Sequence, residues 1–191
     1  GVLYINKETL PKLKSVYHGY LNTKEPPEGW GGYWENPAAA SVNDWEFDMT
    51  ARKFEIGGTS NYPGAVALGE TLELVNEIGI ENIQSRVEEL SAYCMEQLES
   101  IGATIITHKD PGRRAGIVIA RIYEDLNTER AILKNLHAQN IFIAHRFTDY
   151  VGGYRISCQY FNNHKDIDTL VAALKEEIKK VGRAPDYKRP W

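Results

Sequence analysis

The chain has 191 residues, 42% of them hydrophobic and 25% charged, with a formal net charge of -4. That suffices for one large domain or one and a half small ones, and the interspersed acids and bases offer no basic surface for nucleic acid. No apolar run approaches the roughly 20 residues of a membrane span, no signal peptide is expected, and two cysteines, Cys94 and Cys158, are too few for a disulfide framework or a zinc site; the expectation is a reducing, cytoplasmic setting.

Residues 1–5, Gly-Val-Leu-Tyr-Ile, read as a strand that opens without a polar lead-in, which points to a piece of a longer protein. Asn6 is placed to cap a short helix over 7–14, with Glu8 in its first turn. Residues 17–49 are irregular and rich in aromatics, among them Tyr17, Tyr20, Trp30, Tyr33, Trp34, Trp45 and Phe47. A loop of that length inside a compact domain is usually functional or covered by a partner. Two readings stand side by side: a segment packing on protein absent from this chain, and a local aromatic mini-core.

The stretch 54–64, Phe-Glu-Ile-Gly-Gly-Thr-Ser-Asn-Tyr-Pro-Gly, joins freed backbone amides and hydroxyls to a helix start. A phosphate or carboxylate is held by such groups, and so is a plain helix cap. The helix then runs from Tyr62 through Val66, Leu68, Leu72, Val75 and Ile78 to Gly79. Its first half has no polar face and is expected to be buried. A second helix over about 81–101 carries the stripe Ile83, Val87, Leu90, Cys94, Leu98 and Ile101, with Cys94 as core and Gly102 as the stop.

An αββαββα alternation follows. Residues 103–107 and 116–122 read as strands around an Asp110-Pro111-Gly112 turn. Asn127 or Thr128 opens a helix through Ile132, Leu133 and Leu136. Residues 141–144 and 154–160 read as the remaining strands, and Asn162 or Asn163 precedes a last helix that Gly182 ends. The fold class is α/β, in the sense of helices laid on one face of a small sheet. The expected organisation is 1–62, then an α+β domain over 63–182, then a tail over 183–191.

Arg155 stands out chemically, because a guanidinium on a rigid strand suits bidentate capture of a substrate carboxylate. An outward-facing surface arginine is the plain alternative. His145 and Arg146 on the neighbouring arm face either the same cleft or water. His18, His108, His137 and His164 have no metal-ligand spacing, and no nucleophile set or dinucleotide fingerprint is present.

These residues, taken in order, resemble a known family. The pattern comprises the opening Gly-Val-Leu-Tyr-Ile, then Arg52-Lys53-Phe54-Glu55 with Gly58-Thr59 and Asn61-Tyr62-Pro63-Gly64, then Glu77-Ile78-Gly79-Ile80. It closes on Tyr154-Arg155-Ile156-Ser157, Tyr160-Phe161-Asn162-Asn163 and Asp166-Ile167-Asp168. It is similar to the C-terminal half of a class V aminotransferase, a fold-type-I pyridoxal-phosphate enzyme, over residues 1 to about 182.

The resemblance implies a small α+β domain plus a remnant of the large cofactor domain. It implies pyridoxal 5'-phosphate as cofactor, an amino acid as substrate, and a homodimer sharing the cofactor across its interface, with no metal. The family's cofactor-bearing lysine would fall upstream of Gly1, so the N-terminal half of the enzyme is an expected partner and the 191 residues alone are expected to be inactive. Gly58, Thr59, Ser60 and Asn61 map onto the phosphate-binding element and Arg155 onto the carboxylate-binding arginine. An extra residue between Glu55 and Asn61 leaves open whether Thr59 or Ser60 meets the phosphate. Cysteine desulfurases of the family carry a nucleophilic cysteine just before the arginine strand. Residues 143–153 contain none, which disfavours that activity and favours the isopenicillin-N-epimerase-like and aminotransferase-like branch. A non-catalytic interaction module, or an amino-acid-binding domain derived from the same fold, is the alternative.

Overall fold

The computed structural model describes residues 2–17, 19–39, 46–55 and 61–189. Its contacts divide the chain into two compact units, 1–70 and 71–191.

In the first unit, residues 2–6 form no strand. Val2, Leu3 and Tyr4 are exposed, because a β-strand needs a ladder partner and none exists for them among the described residues. The helix expected over 7–14 contracts to a 3-10 turn, Leu10–Lys12. Pro11 has no N–H for a helical ladder, although the Asn6 side chain does accept from the Glu8 N–H at 2.8 Å. Lys53 is buried and uses its ammonium to hold that turn, donating to the carbonyls of Leu10 at 2.6 Å and Leu13 at 2.9 Å.

The aromatic segment builds its own small cluster. Helix α1 (Gly29–Glu35) brings Trp30 and Trp34 against Tyr20, with ring centroids 5.6 and 5.0 Å apart. Local packing is therefore realised, and Trp34 still stays 58% exposed. Asn22, fully buried, ties the unit together. Its amide nitrogen reaches the carbonyls of Tyr17 and Glu55 at 3.2 and 3.3 Å, and its oxygen accepts from Gly19 N–H at 2.8 Å.

Helix α2 (Tyr62–Ile78) has no buried residue, and Val66 is 68% exposed. This overturns the expectation that its apolar first half is buried. Gly79, at φ +87°, turns the chain straight into α3 (Ile80–Ser100). Only glycine adopts that backbone without a penalty. Along α3, Leu90, Cys94 and Leu98 recur every four residues and are almost completely buried.

The second unit is a four-stranded antiparallel sheet built from β1 (Thr104–Ile105), β2 (Ile117–Arg121), β3 (Ala144–Thr148) and β4 (Val151–Ser157), in the order β1-β2-β4-β3. Helix α4 (Leu126–Ala138) precedes β3, and α5 (His164–Val181) follows β4. The three long helices of the unit supply Leu90, Leu98, Ile132, Leu136, Leu170 and Leu174 to one core with Val118, Ala120, Tyr154 and Ile156 of the sheet. Each fully buried leucine contributes about 1.5–3 kcal/mol.

Asp125, rather than Asn127 or Thr128, caps α4. Its carboxylate accepts from both of those N–H groups at 3.1 Å. These bonds and the Thr128 hydroxyl hold it below the usual carboxylate range, with the hydroxyl the largest cause. Asn163 and Asp166 form a reciprocal capping box on α5, and Gly182 ends that helix in the left-handed conformation.

The third strand lies later than its sequence suggests, at 144–148 instead of 141–144. Asp149 and Tyr150, at φ 48° and 64°, make a two-residue hairpin turn. That turn sets the register from Thr148↔Val151 back to Ala144↔Arg155. Residues 141–143 fall outside the ladder, tethered to α4 by Ile141 N–H on the Leu136 carbonyl and by the His137 Nε2 contact with the Ile143 carbonyl, both 3.0 Å.

Candidate functional site

Side chains alternate across a strand. Tyr154 and Ile156 point into the helix-covered core, so Arg155 between them projects from the opposite, helix-free face. Its cross-strand neighbours are Ile119 of β2 and Ala144 of β3, an isoleucine and a methyl group. No carboxylate among the described residues pairs with the guanidinium, and its Nε is buried without a hydrogen-bond partner. A buried donor of a charged group is costly to leave unpaired, so it is normally satisfied by protein, by water or by a ligand. Beside it, residues 141–144 diverge from 155–158 and leave a cleft of about 660 Å3, closed below by Ile167 and Leu170 of α5 and edged by Phe142.

His145 and Arg146 separate. Arg146 stays exposed and donates to the His145 carbonyl at 2.9 Å. His145 turns to the core side, its ring 5.2 Å from that of Tyr154 and its Nε2 3.0 Å from Glu129 Oε2. Glu129 itself is fully buried. Its Oε2 lies 2.8 Å from Arg121 Nε, while its Oε1 accepts from the N–H groups of Ile122 and Tyr123 at 2.9 and 3.1 Å. Arg121 donates onward to the Tyr123 and Glu124 carbonyls and stacks on the Tyr187 ring at 4.2 Å. Burial, reinforced by the Glu129 charge, pushes the Tyr154 hydroxyl far up, so it remains a donor, to the Glu129 carbonyl at 2.8 Å.

This buried group was not visible in the sequence, where Glu129 reads as an ordinary acid favouring the positive end of α4. Gly153 is what admits it. A Cβ there would lie 2.3 Å from the Ala120 carbonyl and 2.6 Å from Arg121 Cδ, so the arginine stem crosses β4 only where a side chain is missing. The network braces the β3–β4 hairpin from below, and Arg155 stands on that hairpin.

Of the expected phosphate-binding residues, Gly58, Thr59 and Ser60 lie outside the described residues. Asn61 immediately precedes α2, and its side-chain oxygen accepts from the Gly64 N–H at 3.0 Å. The two cysteines are both core residues, at 0% and 3% exposure.

Comparison with known proteins places this geometry. The aminotransferase class-V family model matches residues 1–170. An uncharacterised aminotransferase of Schizosaccharomyces pombe is 33% identical over 183 residues, covering 93% of this chain and 41% of the relative. A probable cysteine desulfurase of Xylella fastidiosa is 31% identical over 165 residues, 82% of this chain and 38% of the relative. The fold matches that of the cystine C-S lyase C-DES, solved with its product cysteine persulfide, at a TM-score of 0.70 and 22% identity, over 91% of this chain and 41% of the lyase. Another structure of C-DES carries glycine covalently linked to its PLP cofactor. The chain thus spans about two-fifths of the length of the relatives it matches, and its sheet, its helix order and its matched residues make it a member of the class V aminotransferase family, whose cofactor is pyridoxal phosphate.

Proposed function

We propose that this chain is the C-terminal portion of a pyridoxal-phosphate enzyme acting at the Cα of an amino acid, and that Arg155 holds the substrate carboxylate. The observation behind this reading is the unpartnered, partly buried guanidinium on a rigid strand, on the face of the sheet left free of helices. An orphaned Nε beside free Nη donors fits the fork geometry of a carboxylate. The bound cofactor supplies the electron sink for the bond broken at Cα. The part of this chain is to fix the carboxylate, and so to decide which Cα bond lies where it breaks most readily.

In this reading Gly58, Thr59 or Ser60, and Asn61 bind the cofactor phosphate, in a site shared across a homodimer. The oxygen of Asn61 caps α2, so its amide nitrogen is the end available to an anion. The 191 residues alone are proposed to be inactive; borohydride reduction of the cofactor onto a lysine of this chain, together with turnover, would refute that.

Although relatives are named cysteine desulfurases, the thiols of this chain do not favour that chemistry. The arm before Arg155 is a tight hairpin closed by Asp149 and Tyr150, and both cysteines are buried in the core. A persulfide-forming thiolate has to be exposed and mobile enough to reach substrate. Aminotransferase, epimerase or lyase chemistry on an amino acid fits better.

Arg155→Lys in the complete enzyme tests the assignment. A hydrogen bond to a charged group is worth about 1.5–3 kcal/mol, so loss of the fork should raise KM for amino acids roughly ten- to a hundredfold. Amines lacking the carboxylate should be unaffected. An equal loss on both substrate types would refute the role, and amino-acid binding without turnover in the unmutated protein would favour a binding module.

A further inference from the structure

Strand β3 lies at the edge of the sheet, paired with β4 alone. Its side-chain pairing with that partner is sparse. Arg146 and Phe147 stand opposite Gly153 and Gly152, and a glycine offers no side chain to pack against. What ties β3 to the helices is His145. Among the described residues it is the one side chain of β3 hydrogen-bonded to a helix, its Nε2 3.0 Å from Oε2 of Glu129 in the first turn of α4. A carboxylate only accepts, so that nitrogen carries the proton. The opposite strand is tied to the same residue, since Tyr154, the cross-strand partner of His145, donates to the Glu129 carbonyl at 2.8 Å. The Phe147 ring leans on the imidazole, with centroids 4.7 Å apart.

The buried charge of Glu129 is balanced without His145. Oε1 accepts from the Ile122 and Tyr123 N–H groups, and Oε2 lies 2.8 Å from Arg121 Nε. The effect of the His145 bond falls instead on the chain beside it. Ala144 precedes it, stands next to Arg155 in the ladder and lines the same cleft. On the other side of Ala144, the Ile143 carbonyl lies 3.0 Å from His137 Nε2 of α4. The residue flanking Arg155 is thus bracketed by two ties to one helix, and the His145 tie is the one that ends on a fully buried side chain.

We propose that His145 is a positioning residue for Arg155: by tying β3 to α4 through Glu129 it fixes the wall at Ala144 and with it the place of the guanidinium. That role rests on the reading in which Arg155 holds the substrate carboxylate. The imidazole itself touches no substrate. Its loss frees the edge strand to shift while Glu129 and Arg121 stay together, so the grip on the carboxylate suffers before the fold does.

The test is steady-state kinetics of the complete enzyme, with the common amino acids and their decarboxylated amines as substrates, for His145→Leu, His145→Gln and Arg155→Lys. A misplacement of about 1 Å can cost on the order of a hundredfold, so a partly loosened strand should lower kcat/KM for amino acids about tenfold, carried by KM. The amines should lose nothing. His145→Gln sets an amide N–H near the position of Nε2 and should restore most of the loss. In the Arg155→Lys background, His145→Leu should cost nothing further, because residues acting as one unit are not additive. Hydrogen exchange read by mass spectrometry follows the tie without turnover: the amides of 144–148 should exchange faster in His145→Leu, and those of 117–121 at the unmutated rate. Equal losses on amines and amino acids, no recovery in His145→Gln, additive losses in the double variant, or unchanged exchange at 144–148 would each overturn the role. If Arg155→Lys shows no carboxylate-specific loss, the reading of Arg155 falls and this role with it; if Arg155→Lys shows that loss and His145→Leu does not, only the role of His145 falls. Should His145→Leu not fold, His145→Asn, whose shorter amide falls short of Glu129, takes its place with the same expectations.

Discussion

Glu129→Gln is the substitution whose consequence the structure specifies most fully. Glu129 is completely buried, and Arg121 is 4% exposed with its Nε 2.8 Å from the carboxylate. The amide keeps one oxygen, which can still accept from the Ile122 and Tyr123 N–H groups. It cannot neutralise the guanidinium, and its NH2 faces donors on Arg121. Breaking one side of a buried pair costs about 3–5 kcal/mol, mostly through the stranded charge. For a domain of this size, about 4 kcal/mol corresponds to a melting temperature roughly 10–20 °C lower.

Circular dichroism melts and urea titrations of the two proteins measure this. The accompanying double variant, Glu129→Gln with Arg121→Met, removes the stranded charge while the amide oxygen goes on serving both N–H groups. It should recover most of the loss, because an apolar replacement of a buried pair is close to neutral. A loss below about 1 kcal/mol in the single variant would refute the reasoning. So would a double variant less stable than the single one, since the stranded charge would then not be the source of the cost.

Two other outcomes follow from particular contacts. Gly153→Ala would place its Cβ 2.3 Å from the Ala120 carbonyl and 2.6 Å from Arg121 Cδ; overpacking of that kind costs about 1–3 kcal/mol or more, and urea midpoints should show it, while an unchanged midpoint would mean that the hairpin yields without strain. Glu177 is buried, which pushes its carboxyl up, but hydrogen bonds from Lys180 and Asn135 and the Lys180 charge outweigh burial and leave it below its ordinary value. A group depressed in the folded state stabilises above its unfolded pKa of about 4.3, and that contribution disappears as pH falls through the lower folded value. Melting temperatures taken between pH 7 and pH 3 should therefore fall more steeply below about pH 4.5 in the unmutated protein than in Glu177→Gln; parallel curves would contradict this.

Much of the second unit was legible in the sequence because its signals are local. The stripe Leu90, Cys94, Leu98 follows from helical spacing, the Asn163/Asp166 box from two side chains three residues apart, and the stop at Gly182 from the one residue at ease with positive φ. Strand β3 was misplaced because its position is set by its partner. A two-residue turn and the pairing Ala144↔Arg155 chose the register, and the apolar run at 141–143 carried no trace of that choice. The same distinction separates the two halves of the site. The sequence by itself singled out Arg155, since a lone arginine alternating with core residues must leave the core. Only the tertiary structure decided that its Nε would find no partner and that Glu129 and Arg121 would meet across a glycine gap. Those are encounters between distant segments, and spacing along a chain does not encode which distant side chains come to share a volume of a few hundred Å3.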